Sequence, residues 1–443
     1  MTSNSELQRR REQAVPRGVT HALTVYAERA ANAEVWDAEG RRYIDFASGI
    51  AVLNTGHLHP KVKAALERQL AKLTHACFQV TPYEGYVELA ERLNAIAPGS
   101  TPKKTLFLTT GAEAVENAVK IARFHTQRSA VIAFSGGFLG RTIACSSLNG
   151  KVQPYKSGFG GMLPEVYHAP FPMSYHGGTV DESMDALAQL LKVAVDPARV
   201  AAIIIEPVLG EGGFYAAPQE LLQRLRKLCD EHGMLLIVDE VQTGFGRTGK
   251  MFALEHAAGV EADLLTVAKS LAGGVPLSAV IGKAHIMDAP PPGGLGGTFA
   301  GSPLGCATGL AVLDIIRDEQ LLERAQRIGH FMTSRLKGLQ VRFPCIGDVR
   351  GLGAMIAIEL VKDQRADHPD PELTKALVLA AARQGLILLS CGFYSNVIRF
   401  LAPLTIPDAL LKEGFKLLEQ ALHDAVHMSA REIAAAAPVE GQA

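Results

Sequence analysis

The sequence lacks the features that would mark a membrane, nucleic-acid-binding or disulfide-stapled protein. Six cysteines occur among 443 residues, and formal net charge is −1 with a pI of about 6.9. The cysteines are scattered without metal-like pairing, so we expect reduced thiols and no metal site. The balanced charge argues against nucleic acid as a partner. No uninterrupted apolar run is long enough to span a bilayer, so no membrane association is expected.

The N-terminal basic run also has an ordinary interpretation. Arg9-Arg10-Arg11 is flanked by Glu6 and Glu12, and no apolar segment follows it. Acids within the run favour a solvated helical face over a secretory or mitochondrial signal. We therefore expect a cytoplasmic protein.

Short apolar runs alternate with helical patterns between about residues 60 and 310. Pro218 and Gly233 delimit one amphipathic helix of this series. Strands that are apolar throughout, separated by such helices, indicate an α/β fold with a mostly parallel sheet covered on both sides. The predicted strands are 105–109, 130–134, 201–205, 235–239, 264–267 and 277–281.

The flanking segments predict a second, smaller unit. A helical stretch from about Gly309 leads to a strand near residues 354–358, further short elements and a last helix from about Pro407. Near the N-terminus, residues 35–37 and 42–46 predict a hairpin that packs with this α+β unit. The predicted division is an N-terminal segment (1–60), a large domain (61–310), a small α+β domain (311–430) and a flexible tail (431–443).

Two further signals suggest cofactor chemistry. The apolar run Leu235–Asp239 ends in an acid, and Lys269 follows thirty residues later between small residues. Pyridoxal phosphate chemistry needs a lysine that holds the cofactor aldehyde as a Schiff base. It also needs a carboxylate that keeps the pyridine nitrogen protonated. Each signal alone is weak, because acids after strands and lysines near glycines also occur by chance.

Two turns compete as phosphate sites. Residues 109–114 (Thr-Thr-Gly-Ala-Glu-Ala) join a strand to a helix start, where free N–H groups and the helix dipole attract an anion. By itself this pattern fits an ordinary β-to-α turn equally well. Gly244–Gly249 matches G-x-G-x-x-G, and a nucleotide-binding protein is the alternative from another class. Asp239 and Glu240 directly before that loop would repel a pyrophosphate, and Met251 stands where a P-loop needs Ser or Thr.

Together these segments resemble the class III (ω-)aminotransferases, which are fold-type I pyridoxal phosphate enzymes. The resemblance runs from about Asn4 to the last helix, and implies a large domain with a seven-stranded sheet. Its segments are Gly49-Ile50-Ala51-Val52, Thr110-Gly111-Ala112-Glu113-Ala114, Glu206-Pro207-Val208, Asp239-Glu240-Val241-Gln242-Thr243-Gly244 and Ala268-Lys269-Ser270. Asn54-Thr55-Gly56-His57, Gly210-Glu211-Gly212-Gly213-Phe214-Tyr215 and Leu389-Ser390-Cys391-Gly392 resemble the branch that uses 4-aminobutyrate.

The resemblance implies a role for each matching residue. Lys269 would bind pyridoxal 5′-phosphate and move the proton, and Asp239 would pair with the pyridinium nitrogen. The implied cofactor-binding set is completed by Gly111 and Ala112 at the phosphate, Phe138 on the ring, Gln242 at the ring hydroxyl and Thr298 at the neighbouring subunit's phosphate. The implied substrate-binding set is Arg141 for the distal carboxylate, Arg399 for the α-carboxylate of glutamate, Glu211 as the alternate partner of Arg399, and Ile50 as an apolar wall.

The implied reaction moves the amine of 4-aminobutyrate to 2-oxoglutarate, giving succinate semialdehyde and glutamate. Another ω-amino donor is the alternative, above all 5-aminovalerate, then ornithine or acetylornithine. Partners would be the amino donor, the 2-oxo acid and a second copy of the chain. The protein would form a homodimer or dimer of dimers with the active site at the subunit interface. Leu139 and Leu209 depart from the family, which commonly has His and Gln there, so rate and donor preference could differ.

Overall fold

A computed structural model describes residues 2–428 of the chain. The predicted tail at 431–443 lies outside the described residues. The strands are β1 (Ala27–Ala31), β2 (Glu34–Asp37), β3 (Arg42–Asp45), β4 (Lys103–Leu108), β5 (Ala130–Phe134), β6 (Val166–Ala169), β7 (Val200–Ile205), β8 (Leu235–Asp239), β9 (Leu264–Val267), β10 (Ser278–Lys283), β11 (Ile346–Leu352), β12 (Met355–Leu360), β13 (Leu386–Ile387), β14 (Leu389–Cys391) and β15 (Val397–Phe400). The helices are α1 (Asn4–Ala14), α2 (Ser48–Ala51), α3 (Pro60–Leu70), α4 (Glu84–Ile96), α5 (Gly111–Thr126), α6 (Ile143–Leu148), α7 (Val180–Val193), α8 (Gln219–His232), α9 (Ala284–Met287), α10 (Pro303–Asp318), α11 (Leu321–Arg342), α12 (Pro371–Gln384) and α13 (Asp408–His427).

A seven-stranded sheet forms the centre of the molecule, as the sequence predicted. Its strand order is β4-β10-β9-β8-β7-β5-β6, and only β10 runs antiparallel to its neighbours. Successive side chains of a strand point to opposite faces. In β7, Ile203 and Ile205 join one apolar cluster while Ala202 and Ile204 join the other. Both faces are therefore buried, which confirms the α/β fold.

Strand ends bring the functional candidates to one edge of this sheet. In the register, Ile205 of β7 lies beside Val238 of β8, and Asp239 lies beside Thr266 of β9. Chain positions directly after β7, β8 and β9 therefore meet at the carboxyl edge of three adjacent parallel strands. Ligands of open α/β sheets bind at this edge.

Two four-stranded sheets flank the large one. The order β11-β12-β15-β14 is antiparallel throughout, and helices α11 and α12 pack on it. The predicted N-terminal hairpin is β2 and β3, and β3 pairs in parallel with β13. The N-terminal segment thus shares a sheet with a strand from the C-terminal part of the chain. The predicted domain bounds stay a prediction, and the one after residue 310 falls inside α10.

Several elements differ from the prediction for local reasons. Helix α10 begins at Pro303 rather than near Gly309, because Ser302 caps it by accepting the Gly305 N–H at 3.1 Å. Strand β6 was missed, since three of its four residues are only partly buried at the sheet edge. Helix α1 has no buried residue, consistent with the solvated face predicted for it. Among the described residues, no helix is long and apolar enough to cross a membrane.

Candidate active site

A cavity of about 390 Å³ opens at the carboxyl edge of β7, β8 and β9. Six of the seven predicted cofactor-binding residues line it, whereas Thr298 does not. The predicted residues on its wall are Gly111, Ala112, Phe138, Asp239, Gln242 and Lys269. Sequence reasoning therefore identified residues that the fold brings together, although their roles stay predictions.

One end of the cavity is the start of α5. Gly111 and Ala112 are the first two residues of this helix, so their N–H groups have no acceptor within it. Thr110 and Glu113 form a capping box in which the Thr110 hydroxyl accepts the Glu113 N–H at 3.3 Å. A Cβ on Gly111 would lie 3.1 Å from Val241 Cγ1. A side chain on Gly111 would therefore crowd Val241, and the first two N–H groups of α5 remain available to an anion.

The opposite wall carries a buried acid. Asp239 closes β8, is 4% exposed and accepts the Val241 N–H at 2.9 Å. Burial raises the pKa of its carboxyl to about 6, against the opposing effects of the Val241 N–H, the Thr266 hydroxyl and Lys269. A carboxylate in this position gains from a cationic partner inside the cavity.

Lys269 lies just after β9 with a positive φ of 47°, a conformation that is strained for a residue with a Cβ. Its side chain is partly buried because it borders the cavity. Burial lowers the pKa of the amine to about 8, with further effects from Glu211 and Arg399. The lowered pKa enlarges the neutral fraction of this amine near neutral pH, and the neutral form is a nucleophile and a proton acceptor.

Glu206 is a cavity residue to which the sequence analysis gave no role. It follows β7 directly, and its two carboxyl oxygens accept the N–H groups of Phe138 (2.8 Å) and Gly210 (3.0 Å). Burial, and then the Asp239 charge, raise the pKa of this carboxyl to about 8. The signal that revealed Asp239, an acid at the end of an apolar strand, was also present at Glu206.

The residues that line this cavity fit pyridoxal phosphate. The Gln242 Oε1 atom is buried and has no hydrogen-bond partner among the described residues. The cavity also contains two free amide donors at Gly111 and Ala112, a buried carboxylate at Asp239 and an amine at Lys269. These are the groups that a phosphate, a ring hydroxyl, a pyridinium and an aldehyde require. No cluster of metal-ligating side chains was found among residues 2–428.

Beside the cavity, Arg399 and Glu211 form a two-pronged ion pair. One guanidinium nitrogen of Arg399 donates to Glu211 at 3.2 Å and the other contacts its second oxygen. Burial alone would raise the pKa of Glu211, but the Arg399 charge outweighs it and the pKa is lowered. The Arg399 Nε atom is buried without a partner among the described residues.

Arg141 differs from Arg399 because it has no ion-pair partner in the described part of the chain. It is exposed, and its guanidinium carbon lies 5.5 Å from the Tyr155 ring centroid and 6.0 Å from that of Phe138. Tyr155 was not identified from the sequence, because nothing in its neighbourhood resembles a binding motif.

The remaining predicted residues lie at the periphery. Ile50 is 40% exposed within α2, where Ser48 to Ala51 all have positive φ values between 47° and 66°. The Ser270 hydroxyl donates to the Ala51 carbonyl at 2.7 Å and so ties this left-handed turn to Lys269. Thr298 is exposed.

The two departures from the family lie in apolar packing. Leu139 is 5% exposed, lines the cavity and belongs to the cluster formed with α5. Leu209 is fully buried. Both positions are therefore accommodated as core side chains.

The Gly244–Gly249 loop, the competing phosphate site, is filled by its own side chains. Only a short 3₁₀ helix (Ala253–His256) follows it, no α-helix begins at it, and Arg247 is fully buried inside it. The Arg247 guanidinium donates to Asn54 Oδ1 at 3.0 Å and to the carbonyls of Ala402 (2.8 Å) and Ala354 (3.3 Å). This loop has no space for a nucleotide.

Comparison with known proteins finds aminotransferases that are similar to this chain over nearly its whole length. The class-III aminotransferase family matches residues 14–422. The chain is 54% identical to the 4-aminobutyrate aminotransferase of Escherichia coli, covering 96% of this chain and 100% of that one. It is 56% identical to the 5-aminovalerate aminotransferase of Pseudomonas aeruginosa, covering 94% and 98%. Among solved structures, the ornithine aminotransferase of Toxoplasma gondii superposes with a TM-score of 0.84 at 31% identity, covering 96% of each chain.

Proposed function

The chain belongs to the class-III aminotransferases, which use pyridoxal 5′-phosphate, and we propose that it moves the amine of 4-aminobutyrate to 2-oxoglutarate. The products would be succinate semialdehyde and glutamate. The observation that carries this proposal is the contrast between two arginines beside one cavity. Arg399 is neutralised by Glu211, whereas Arg141 has no ion-pair partner in the described residues. An ω-amino acid carries one carboxylate, and one unpaired arginine suits it.

The cavity residues would hold the cofactor by complementary contacts. The N–H groups of Gly111 and Ala112 would bind the phosphate, and Asp239 would hold a proton on the pyridine nitrogen. The Oε1 atom of Gln242 would accept a hydrogen bond from the ring hydroxyl, and the Phe138 ring would cover one face. When bound, pyridoxal phosphate supplies an electron sink for the bond that breaks at the amine-bearing carbon.

Lys269 would hold the cofactor in the resting enzyme and afterwards carry a proton. Its Nζ atom would take the proton from the amine-bearing carbon of the donor and return it on the cofactor side of the same site. An amine with its pKa lowered to about 8 can both accept and release a proton near neutral pH. The backbone conformation of Lys269, with its positive φ, sets the direction in which the side chain leaves the main chain.

The ion pair would act as a switch between the two substrates. Arginine binds carboxylates through paired, charge-assisted hydrogen bonds. With 4-aminobutyrate, Arg141 would bind the distal carboxylate while Glu211 keeps Arg399 neutralised. With glutamate, the α-carboxylate would replace Glu211 on Arg399. The buried Arg399 would then have a carboxylate partner in both half-reactions.

Separate half-reactions test this switch. Replacing Arg399 by Ala should impair the reaction with glutamate or 2-oxoglutarate strongly, because truncating a buried charged contact costs roughly 2–5 kcal/mol. The reaction with 4-aminobutyrate should suffer less, and Glu211→Ala combined with Arg399→Ala should restore part of it. Single-turnover absorbance changes measure each half-reaction alone. Equal losses in both would refute the switch.

The wild-type protein offers a simpler test of the chemistry. The purified protein should be yellow, and borohydride should bleach it while labelling Lys269. A colourless protein that binds NAD or ATP would overturn the proposal in favour of a nucleotide-binding function.

5-Aminovalerate is the second candidate donor, favoured by the 56% identity to the enzyme of Pseudomonas aeruginosa. This donor also carries one carboxylate and one terminal amine, so the same arginines would serve it. A panel of ω-amino acids and ornithine with 2-oxoglutarate as acceptor distinguishes the candidates by their kcat/KM values. A preference for ornithine would contradict both.

We further propose that the working unit is a homodimer, or a dimer of dimers. Thr298 is exposed and does not line the cavity of its own chain. Its hydroxyl would instead reach the phosphate bound in the neighbouring subunit. Replacing Thr298 by Ala should then weaken cofactor binding without changing the mass measured in solution. A monomeric wild-type protein that retains full activity would contradict the proposal.

A further inference from the structure

We propose that Tyr155 is a positioning residue that holds Arg141 at a fixed distance from the cavity and thereby selects the length of the ω-amino donor. The proposal rests on the function proposed above, in which Arg141 binds the distal carboxylate. Three sets of contacts support it: the rings that hold Arg141, the bonds that hold the Tyr155 segment, and the charges around the phenol.

Within residues 2–428 the Arg141 guanidinium forms no hydrogen bond or ion pair, and it lies near two aromatic rings. Its carbon lies 5.5 Å from the Tyr155 centroid and 6.0 Å from that of Phe138. The two rings pack on each other with centroids 4.9 Å apart. A cation over an aromatic face is attracted to it while its N–H groups stay free for an anion. The rings therefore hold the charge without neutralising it.

Phe138 and Tyr155 do not have equal roles in this arrangement. Phe138 lines the cavity, and the Glu206 carboxyl accepts its backbone N–H at 2.8 Å. Tyr155 does not line the cavity and approaches from the separate segment 151–156. Phe138 is thus assigned to the cofactor, while the contact of Tyr155 with Arg141 has no other evident use.

The segment that carries Tyr155 is tied to the ion pair. Lys151 Nζ donates to the Gly392 carbonyl at 3.1 Å, and the Gly392 N–H donates to the Glu211 carbonyl at 2.9 Å. A turn is closed by the Lys156 N–H, which donates to the Val152 carbonyl at 2.8 Å. Tyr155 is therefore fixed relative to Glu211 and, through it, to Arg399.

The Tyr155 phenol lies within the electrostatic reach of all three charged substrate residues. Burial raises its pKa, and so does the Glu211 charge, whereas Arg141 and Arg399 oppose that rise. The phenol is therefore near enough to both the unpaired arginine and the ion pair to feel their charges. This position controls how far Arg141 can shift along the substrate path.

Chain-length selection follows from this restraint. Donors of four and five carbons differ by one methylene, and a rigid site discriminates such pairs by roughly 10–200-fold. If Arg141 is released from the Tyr155 ring, its long side chain can meet carboxylates at several distances. Discrimination between the two donors should then fall, while donors without a carboxylate should be unaffected.

The test uses Tyr155→Leu, which keeps apolar bulk but removes the ring face, and Tyr155→Phe, which keeps the ring. In Tyr155→Leu, KM for the preferred ω-amino acid should rise about tenfold with kcat changed less than about threefold. The ratio of kcat/KM values for 4-aminobutyrate and 5-aminovalerate should move toward one. A primary alkylamine should react within about twofold of wild type, and Tyr155→Phe should restore wild-type behaviour.

Two controls separate positioning from packing. Phe159→Ala removes another aromatic ring from a nearby, 64% exposed position and should leave the donor ratio unchanged. Adding Tyr155→Leu to Arg141→Ala should cause no further loss, because the effect acts through Arg141. An equal loss with the alkylamine, additive effects in the double variant, or a Tyr155→Phe variant as impaired as Tyr155→Leu would each overturn the proposal. A wild-type enzyme inactive on all ω-amino acids would instead overturn the proposed function.

Discussion

Two glycine-containing turns follow strands of the same sheet, yet one borders an open cavity and the other is filled by a side chain. The turn at residues 109–114 opens onto the cavity and presents the first N–H groups of α5. The Gly244–Gly249 loop has the better sequence match to a phosphate-binding motif, but Arg247 occupies its interior. A glycine pattern predicts a flexible backbone, whereas phosphate binding needs free amides and open space. The difference therefore lies in what fills each turn.

Two adjacent acids show the same contrast. Asp239 faces the cavity and accepts one backbone N–H at 2.9 Å. Glu240 points the other way, where its carboxyl accepts the N–H groups of Leu254 (2.7 Å) and Ala253 (3.0 Å) and contacts the Thr243 hydroxyl. Since side chains alternate along a strand, neighbours in sequence belong to different parts of the molecule. One acid borders the cavity, and the other binds residues on both sides of the Gly244–Gly249 loop.

The largest effect is expected on enzyme activity, and it should be seen when Asp239 is replaced but not when Glu240 is replaced. Asp239→Asn should lower kcat by roughly 10²–10³-fold, because a neutral side chain cannot keep the pyridine nitrogen protonated. Glu240→Gln should lower the melting temperature but leave kcat per folded molecule close to wild type. Steady-state kinetics and thermal unfolding of both variants measure this. Near wild-type turnover in Asp239→Asn would show that the cofactor lies elsewhere.

The next effect concerns the interior of the Gly244–Gly249 loop, which the Arg247 side chain fills. Arg247→Met should destabilise the protein by roughly 2–4 kcal/mol, because Asn54 and two carbonyls lose their donor in a buried place. Urea unfolding followed by circular dichroism measures the change. Arg9→Met provides a control, since the side chain of Arg9 is 70% exposed. Weaker pyridoxal phosphate binding in folded Arg247→Met, without a stability change, would mean that this loop contacts the cofactor.

A matched pair of glycine substitutions gives a smaller effect. Gly111→Ala should weaken pyridoxal phosphate binding about tenfold, because its Cβ would lie 3.1 Å from Val241 Cγ1 on the cavity wall. Gly246→Ala should instead destabilise the fold by about 1 kcal/mol, since Gly246 has a φ of +90°. Cofactor titration and thermal unfolding of both variants distinguish the two roles. The same outcome for both variants would remove the distinction between the turns.

The smallest expected effect is a pH dependence of cofactor capture. Burial lowers the pKa of Lys269 to about 8, so its neutral, nucleophilic form increases as pH rises toward that value. The rate at which apoprotein gains visible absorbance with pyridoxal phosphate should rise about tenfold from pH 6.5 to 8 and level off above it. Lys250→Ala, which alters an exposed lysine of the other loop, should give the same profile. A rate that keeps rising well above pH 9 would indicate a solvated lysine.

The sequence predicted strand bounds correctly where a strand is buried on both faces of the sheet, because such a strand is an uninterrupted apolar run. Strands β5, β8 and β9 have the predicted bounds, because continuous apolar runs between helices have few other interpretations. The acid and lysine of the cavity were found because each directly follows such a run. The partly buried edge strand β6 gave no comparable signal.

Other features depend on contacts between distant segments. The filling of the Gly244–Gly249 loop requires Asn54, Ala354 and Ala402, so local pattern could not reveal it. Tyr155 acquires its neighbours only through the fold, and its surrounding residues carry no motif. The reversed direction of β10 likewise depends on the path of the chain between strands, which periodicity does not encode.

The parallel pairing of β3 with β13 has a consequence for the order in which the protein is made. Ile44 pairs with Leu386, so the edge of β3 stays open on the ribosome until nearly the whole chain has been synthesised. The hydrogen bond from Arg247 to the Ala402 carbonyl likewise cannot form until residue 402 has been synthesised. The sheet that contains the N-terminal hairpin must therefore remain incomplete until β13 is made, and closing this pairing is a late step of assembly. Nascent chains stalled before residue 386 should expose an unpaired strand that a chaperone can bind.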